Sequence, residues 1–411
     1  MKDNKILIGT ALVLLLLLTT GLSYAYFSTA VKGNDNAKDM VVEAGTLKLT
    51  YTDGPAINSQ NIKPGWTTTK TVSVKNNGTL DTNYNIIWQS LVNGITNDEL
   101  FLSATCQRLN ASGTVEGTCD SIPQVPISDM TIAKKINIES GITHKYTFTM
   151  LFIDTLREQN YNQGKEFNGV LGIEEYVSTK FEKDDWSTIV ANVKSGNISE
   201  YNIGDTKEVD LGTYGTHTLR LANTSTPSEC SGTGFSQTTC GFVLEFEDII
   251  TEHAMNDTDT NVGGWPVTSM RTFVNNDIYN AIPSEIKKAI IDTTVVSGHG
   301  STSGETNFTS TDKLYLLAPR EIYSDWSTYQ FSSYDTAKDS TRTLDYYKNL
   351  GVTTSNGSRA IKKDGTSTSH WWLRTAYSRH TEVFLHIFIG GGLVTNGAIH
   401  AQGVSPAFRL G

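Results

Sequence analysis

Thr69-Lys-Thr-Val-Ser-Val-Lys75, followed by Asn76-Asn-Gly78, alternates polar and apolar side chains and ends in turn residues. A period of two is the repeat of a strand that buries one face and wets the other, and Asn and Gly tolerate the backbone angles of a tight turn. The same alternation precedes it in Gly45-Thr-Leu-Lys-Leu-Thr-Tyr51 and follows it in Tyr84–Trp88 and Lys145–Phe152. Short alternating runs punctuated by Gly, Asn and Pro predict an antiparallel β-sandwich for this part of the chain.

Toward the N-terminus the texture changes. Lys2 and Lys5 precede an apolar run from Ile6 to Leu18, and Ser23 and Ala25 put small residues before Tyr26. This is the pattern of a secretory signal peptide over 1–25. The alternative is an uncleaved anchor, but the run falls short of the roughly 20 apolar residues of a spanning helix. Membrane contact is then expected only through the signal, before cleavage. Export makes the four cysteines readable. They form two close pairs, Cys106 with Cys119 and Cys230 with Cys240. Local pairing would give two disulfides, one per domain; free thiols are the alternative. Neither pair has zinc-site spacing.

Toward the C-terminus, 178–185 is charged and lacks alternation, and reads as a linker between a sandwich over 26–177 and a second domain over 186–411. The 411-residue length agrees with two domains. In the second domain, Thr216–Leu221 and Gly241–Phe246 read as strands, as does Lys313–Leu317. Ser269–Asn280 reads as a helix. Another helix starts after Pro283, with Ile286, Ala289 and Ile290 on its apolar face. Helices within a strand-rich domain predict an α+β fold. A net charge of -10 without a basic stripe argues against nucleic acid.

The last forty residues break ordinary patterning. Trp371 and Trp372 would point to opposite faces of a strand, and Arg374 has the planar fork to tie loops together. Pro406-Ala-Phe408 reads as a closing strand. Between these flanks, Phe384-Leu-His-Ile-Phe-Ile389 is apolar or aromatic on both faces, and Gly390-Gly-Gly392 then breaks the strand. Apolar side chains on both faces suggest an exposed patch near 376–402 that binds something; burial of both faces is the alternative.

Two resemblances attach to these stretches. Ala25-Tyr-Phe-Ser28, Glu43–Leu49, Ile62-Lys-Pro-Gly-Trp66, Val72–Gly78, Phe148–Phe152 and Asn160–Gly164 resemble the camelysin/TasA family of exported biofilm-fibre proteins, over about 1–177. That resemblance implies a jelly-roll domain, release by a dedicated signal peptidase, and homo-oligomers or fibres built by strand donation. Some relatives are described as metalloproteases, but the region carries no His-Glu-x-x-His and only His144. The second stretch, about 184–411, is similar to C-type-lectin-like domains of exported bacterial proteins. It carries Tyr201–Asp205, Gly263-Gly-Trp265, Ser269-Met-Arg271, Thr311–Leu316, Trp371-Trp-Leu-Arg374 and Gly403–Phe408, also seen in an uncharacterised domain of gut Firmicutes. The fold includes formylglycine-generating enzymes, whose C-terminal cysteines are missing here beyond Cys240. It also includes the variable proteins of diversity-generating retroelements. On that pattern Trp371, Trp372, Arg374, Phe384, Gly391, Ala398 and Gly403 would be the frame. Ser378, Arg379, His380, Glu382, Leu385, His386, Phe388, Val394, Asn396, Ile399, His400 and Gln402 would be the displayed, ligand-binding positions.

Weaker signals add little. His370, His380, His386 and His400 match no zinc spacing. Asp257-Thr-Asp-Thr-Asn261 starts like a calcium loop but has Val262 where Gly belongs. Glu321 and Asp325 could count as paired carboxylates, but Tyr323–Tyr334 reads as a mobile loop, and no nucleophile, base and orienter set stands out. The expectation is therefore an exported surface or matrix protein, not an enzyme and without cofactor or metal. Its ligand would be an extracellular protein or glycan. The alternatives are a structural matrix subunit with no separate ligand and, third, a secreted hydrolase.

Overall fold

The computed structural model describes residues 25–27, 40–44, 47–59, 61–127, 130–156, 158–299, 306–365 and 367–411. Apart from Ala25, the export signal expected over 1–25 lies outside them. The chain divides into two compact units, Met1–Val177 and Ser178–Gly411. It is mostly β-sheet, with few and short helices.

The first unit holds strands β1 (Ala25–Phe27), β2 (Met40–Ala44), β3 (Leu47–Thr52), β4 (Asn58–Ser59), β5 (Thr67–Asn76) and β6 (Thr82–Asn93). They are followed by β7 (Leu100–Leu109), β8 (Val115–Pro126), β9 (Thr131–Ile138), β10 (Thr143–Phe152) and β11 (Phe167–Glu175). One sheet runs β4-β1-β11-β6-β9 and the other β2-β3-β5-β10-β7-β8. The period-two reading of Thr69–Lys75 holds: Val72 and Val74 are buried, and Val72 lies opposite Tyr146 in β10. Tyr146, Phe148 and Met150 share one core with Tyr84, Ile86, Trp88, Leu171 and Ile173 of the other sheet. Lys70 also faces inward, where its ammonium pairs with Asp53 at 2.8 Å and donates to the Gly54 and Pro55 carbonyls. A buried cation needs such partners.

The second unit starts inside the segment read as a linker. Helix α1 (Lys180–Lys183) is capped by the Thr179 side chain, which accepts from the Glu182 amide. Asp185 caps α2 (Trp186–Ser195) in the same way, accepting from the Thr188 amide at 2.7 Å. Phe181 is fully buried with Trp186, Tyr201 and Phe242. Two polar residues of 178–185, Thr179 and Asp185, are thus helix caps beside a buried ring.

Beyond them lie β12 (Thr206–Asp210), β13 (Thr216–Asn223), β14 (Phe242–Phe246), β15 (Thr251–Ala254), β16 (Thr293–Ser297), β17 (Phe308–Asp312) and β18 (Leu314–Tyr315). Then come β19 (Lys362–Asp364), β20 (Ser367–Ser369), β21 (Trp371–Ala376), β22 (Val383–Ile387), β23 (Leu393–Gly397), β24 (Ala401–Val404) and β25 (Ala407–Leu410). Two five-stranded sheets dominate, ordered β12-β13-β14-β25-β18 and β15-β24-β21-β22-β23. The last strand inserts between β14 and β18, so the C-terminus closes a sheet, as Pro406–Phe408 suggested. Helix α3 (Ser269–Phe273) runs through a wide turn at Val274–Ile278, and α4 (Ser284–Lys287) follows. Met270, Val274, Ile278, Ile286 and Ala289 pack into the core.

The expected mobile loop at Tyr323–Tyr334 is instead anchored. Tyr323 and Trp326 are fully buried, and the Trp326 indole donates to Asp335 at 2.8 Å. Aromatic side chains scattered among polar residues defeat a periodicity reading, because each plugs a separate hole.

Candidate functional site

The C-terminal hairpin is held from beneath by a buried charged pair. Arg374 donates twice to Glu321, at 2.6 and 2.5 Å, and once to the Leu316 carbonyl at 2.8 Å. Glu321 also accepts from the Ala318 amide and the Thr341 and Thr238 hydroxyls, so both carboxylate oxygens are engaged, while Nε of Arg374 is buried without a partner. Planar two-point contact is what a guanidinium offers and an ammonium does not. Trp371 and Trp372 are both fully buried, and their indoles donate to the carbonyls of Ala360 and His253. Phe384, Gly391, Ala398 and Gly403 are buried as well.

Above this frame the twelve residues expected on display separate into two groups. Leu385 and His386 are buried, at 3% and 4% exposure. They lie on β22, where four consecutive residues, Phe384 to Ile387, are buried, so both of its faces are covered. The apolar character of Phe384–Ile387 on both faces therefore reflects burial, and these two assignments are corrected. The His386 ring meets His370, with 3.0 Å between Nε2 and the other ring's Nδ1, and packs edge-on to Trp372. Burial, then the charge of His370, lowers its pKa to about 4.

The remaining ten are partly or fully exposed. Ser378, Arg379, His380 and Glu382 belong to the loop between β21 and β22. The Arg379 guanidinium sits 5.6 Å over the Tyr334 ring. Asn396 is half-buried on edge strand β23, where Val394 is exposed. Ile399 and His400 form the next turn, both exposed, and Gln402 is half-buried on β24. Phe388 is half-buried over the glycine turn: a Cβ on Gly390 or Gly392 would come within 2.9 or 2.4 Å of its ring. Gly390 and Gly392 thus leave the space the phenyl ring needs. Ile389, at 49% exposure, belongs with Val394 and Ile399, at 40% and 47%. It was passed over because it falls at the end of an apolar run that otherwise packs inward.

Asn261 is a second omission. It is fully buried, and its amide nitrogen donates to the carbonyls of Tyr377, His380 and Val383, at 3.1, 2.7 and 2.9 Å. Its own backbone amide donates to Thr381. Within the failed calcium-loop motif, the residue with a purpose is this one.

The first unit has a recess of about 160 Å³ lined by Arg108, Cys119, Asp120, Glu139, His144 and neighbouring residues. Cys106 and Cys119 lie directly opposite each other on β7 and β8 and form a disulfide, as Cys230 and Cys240 do in the second unit. His144 is buried beside the first bridge. Its Nδ1 lies 2.9 Å from the Tyr84 hydroxyl, which lies 2.9 Å from that of Tyr146. Burial, and then Arg108, lower the His144 pKa to about 4, so its ring is neutral at pH 7.

Residues 3–100 match a family model described as camelysin metallo-endopeptidase, and residues 242–411 match a domain of unknown function, DUF6273. No curated protein matches the chain. The camelysin-like N-terminal part agrees with an exported, cell-surface protein. The name of that family also points toward an enzyme, against the expectation of none. Among the described residues no helix is long and apolar enough to cross a membrane. The one group of described side chains close enough to hold a metal is Cys106, Cys119 and His144, outside the matched stretch. Both sulfurs are joined in the disulfide, so these residues do not fit a metal ion in the oxidised chain.

Proposed function

We propose that this chain is an exported surface or matrix protein whose second unit presents a ligand-binding face near 376–402, the ligand being an extracellular protein or glycan. One observation carries the reading. Ile389, Val394 and Ile399 are exposed on a hairpin and turn whose supporting residues are all buried. His400 sits beside Ile399, and Arg379 and His380 lie in the loop between β21 and β22, at the same end of the hairpin and away from the Ile389 turn. Exposed apolar groups rimmed by polar ones mark interaction sites on soluble proteins, and a rigid support lowers the ordering cost of binding. A lectin-like fold, and diversification of these positions by a retroelement, are the finer form of this proposal, supported by the sequence pattern.

The test is binding of the purified chain to a glycan array and an array of extracellular proteins, beside an Ile389→Asp/Ile399→Asp variant. Capture by the native chain, lost in a variant with the same melting temperature, supports the face. Equal capture by both, or none by either, removes it. For the diversification, 3′ ends of the gene are sequenced from sibling cells; variation confined to codons 376–402 supports it, and uniform sequence there removes it. The alternative of a matrix subunit without ligand draws on the camelysin-like N-terminal part, and fibres seen by electron microscopy without capture would favour it. The peptidase reading draws on the matching family's name alone.

A further inference from the structure

We infer that Cys106, Cys119 and His144 form a divalent-cation site masked by a disulfide, which takes up zinc when the bridge is reduced. The two sulfurs and an imidazole nitrogen all lie within 4.8 Å of one another. Tetrahedral zinc, with Zn–S near about 2.3 Å and Zn–N near about 2.0 Å, sets its donors about 3.5–3.8 Å apart, so once the bridge is reduced the two sulfurs part from bonding distance while the imidazole stays within reach. Three elements already hold the donors in place. Cys106 and Cys119 face each other across β7 and β8, and His144 stands on β10, the other neighbour of β7.

The surroundings of His144 are those of a ligand. A metal-bound imidazole donates its second N–H to a fixed acceptor, which sets the tautomer. Here Nδ1–H can donate to the Tyr84 oxygen while the Tyr84 hydroxyl donates to Tyr146, leaving Nε2 with its lone pair. Cys119 is only partly buried and lines the recess, so a reductant and an ion have a way in. The recess, which Asp120 also lines, opens the fourth position to water.

The chemistry balances with an external dithiol as reductant. Its two thiols are oxidised to a disulfide, the Cys106–Cys119 bond breaks, and two protein thiols form. Zinc then displaces both thiol protons, binding two thiolates and a neutral imidazole. The site belongs to the first unit and is independent of the ligand-binding face.

The full chain is titrated with zinc against a chromophoric chelator, and with cobalt(II), before and after reduction by a phosphine. Circular dichroism monitors the fold, and a Cys230→Ser/Cys240→Ser chain removes the other pair of thiols. The oxidised chain should take no ion at this site. The reduced chain should take one equivalent and show a thiolate-to-cobalt charge-transfer band. His144→Gln and Cys119→Ser should each abolish that band, and Tyr84→Phe should weaken affinity about tenfold through the lost partner of His144. The inference is overturned by a reduced, folded chain that takes no ion, by cobalt bound without thiolate absorption, or by a His144→Gln chain that binds as tightly. Loss of the first unit's fold on reduction also overturns it, since no site is then held ready.

Discussion

His386 illustrates how a single buried side chain couples the second unit to pH. Its ring is neutral in the folded protein, with a pKa near 4 against about 6.5 unfolded. Between these values the unfolded chain binds the extra proton. The stabilisation is therefore complete above pH 6.5 and is lost as the pH falls toward 4, by up to about 3 kcal/mol. Asp335 runs the other way: burial raises its pKa to about 6, so its folded form gains from protonation as the pH falls through 6. Comparing the melting temperature of His386→Leu with that of the native chain at pH 7 and pH 5 isolates the histidine. The variant should lose less on acidification. Phe388 and Phe384 test the boundary between display and core. Phe384→Ala should cost about 3–5 kcal/mol in urea unfolding, as for a fully buried ring, and Phe388→Ala about 1–2 kcal/mol, as for a ring resting on a glycine turn. Only part of this was legible in sequence. Alternation placed Val72 and Val74 inward, but it could not foresee that Lys70, on the same face, would find Asp53. Neither could it tell that Leu385 and His386 are covered while Ile389 is not, because that depends on where β22 ends and on what packs against its two faces.

At the scale of elements, the β22–β23 hairpin depends on its turn. Gly391 has φ +80°, and a Cβ there would come within 2.0 Å of the Gly357 carbonyl oxygen. The Tyr323 hydroxyl donates to the Gly391 carbonyl at 2.5 Å, so the turn is fastened to the segment between α5 (Pro319–Ile322) and Trp326. Gly391→Ala should destabilise the unit by at least about 2 kcal/mol, since both backbone strain and a clash oppose it. Near-ultraviolet circular dichroism during a urea titration would register the loss, and an unchanged midpoint would show that the turn can move. The helices from Ser269 and after Pro283 were readable from their apolar spacing. The loop at Tyr323–Tyr334 was not, because its order comes from Trp326, Asp335 and Tyr323 meeting distant partners. Segment 178–185, read as a linker, holds helix α1 and the cap of α2. Thr179 and Asp185 cap two helix starts there, and a composition reading cannot separate a cap from a spacer.

At the scale of the whole molecule, each unit has its own core and its own disulfide. Replacing Cys230 and Cys240 by serine opens a bridge spanning 10 residues, which should cost the second unit about 2–3 kcal/mol. Calorimetry should show that transition moving down while the first unit's stays in place; a shift of both would mean that the units unfold together. The pairing of the cysteines was visible in the sequence. The support beneath the hairpin was visible only in part: Arg374 stood out for its chemistry, but its partner lies 53 residues away and had been grouped with Asp325 instead. Asn261 reaches farther still, gripping the loop after β21 from more than a hundred residues upstream, and it does so entirely through main-chain oxygens. Every amino acid supplies such an oxygen. The path of 377–383 is thus decoupled from the identity of the side chains it carries, so foreign letters can be written into Ser378–Glu382 without redrawing the curve they sit on.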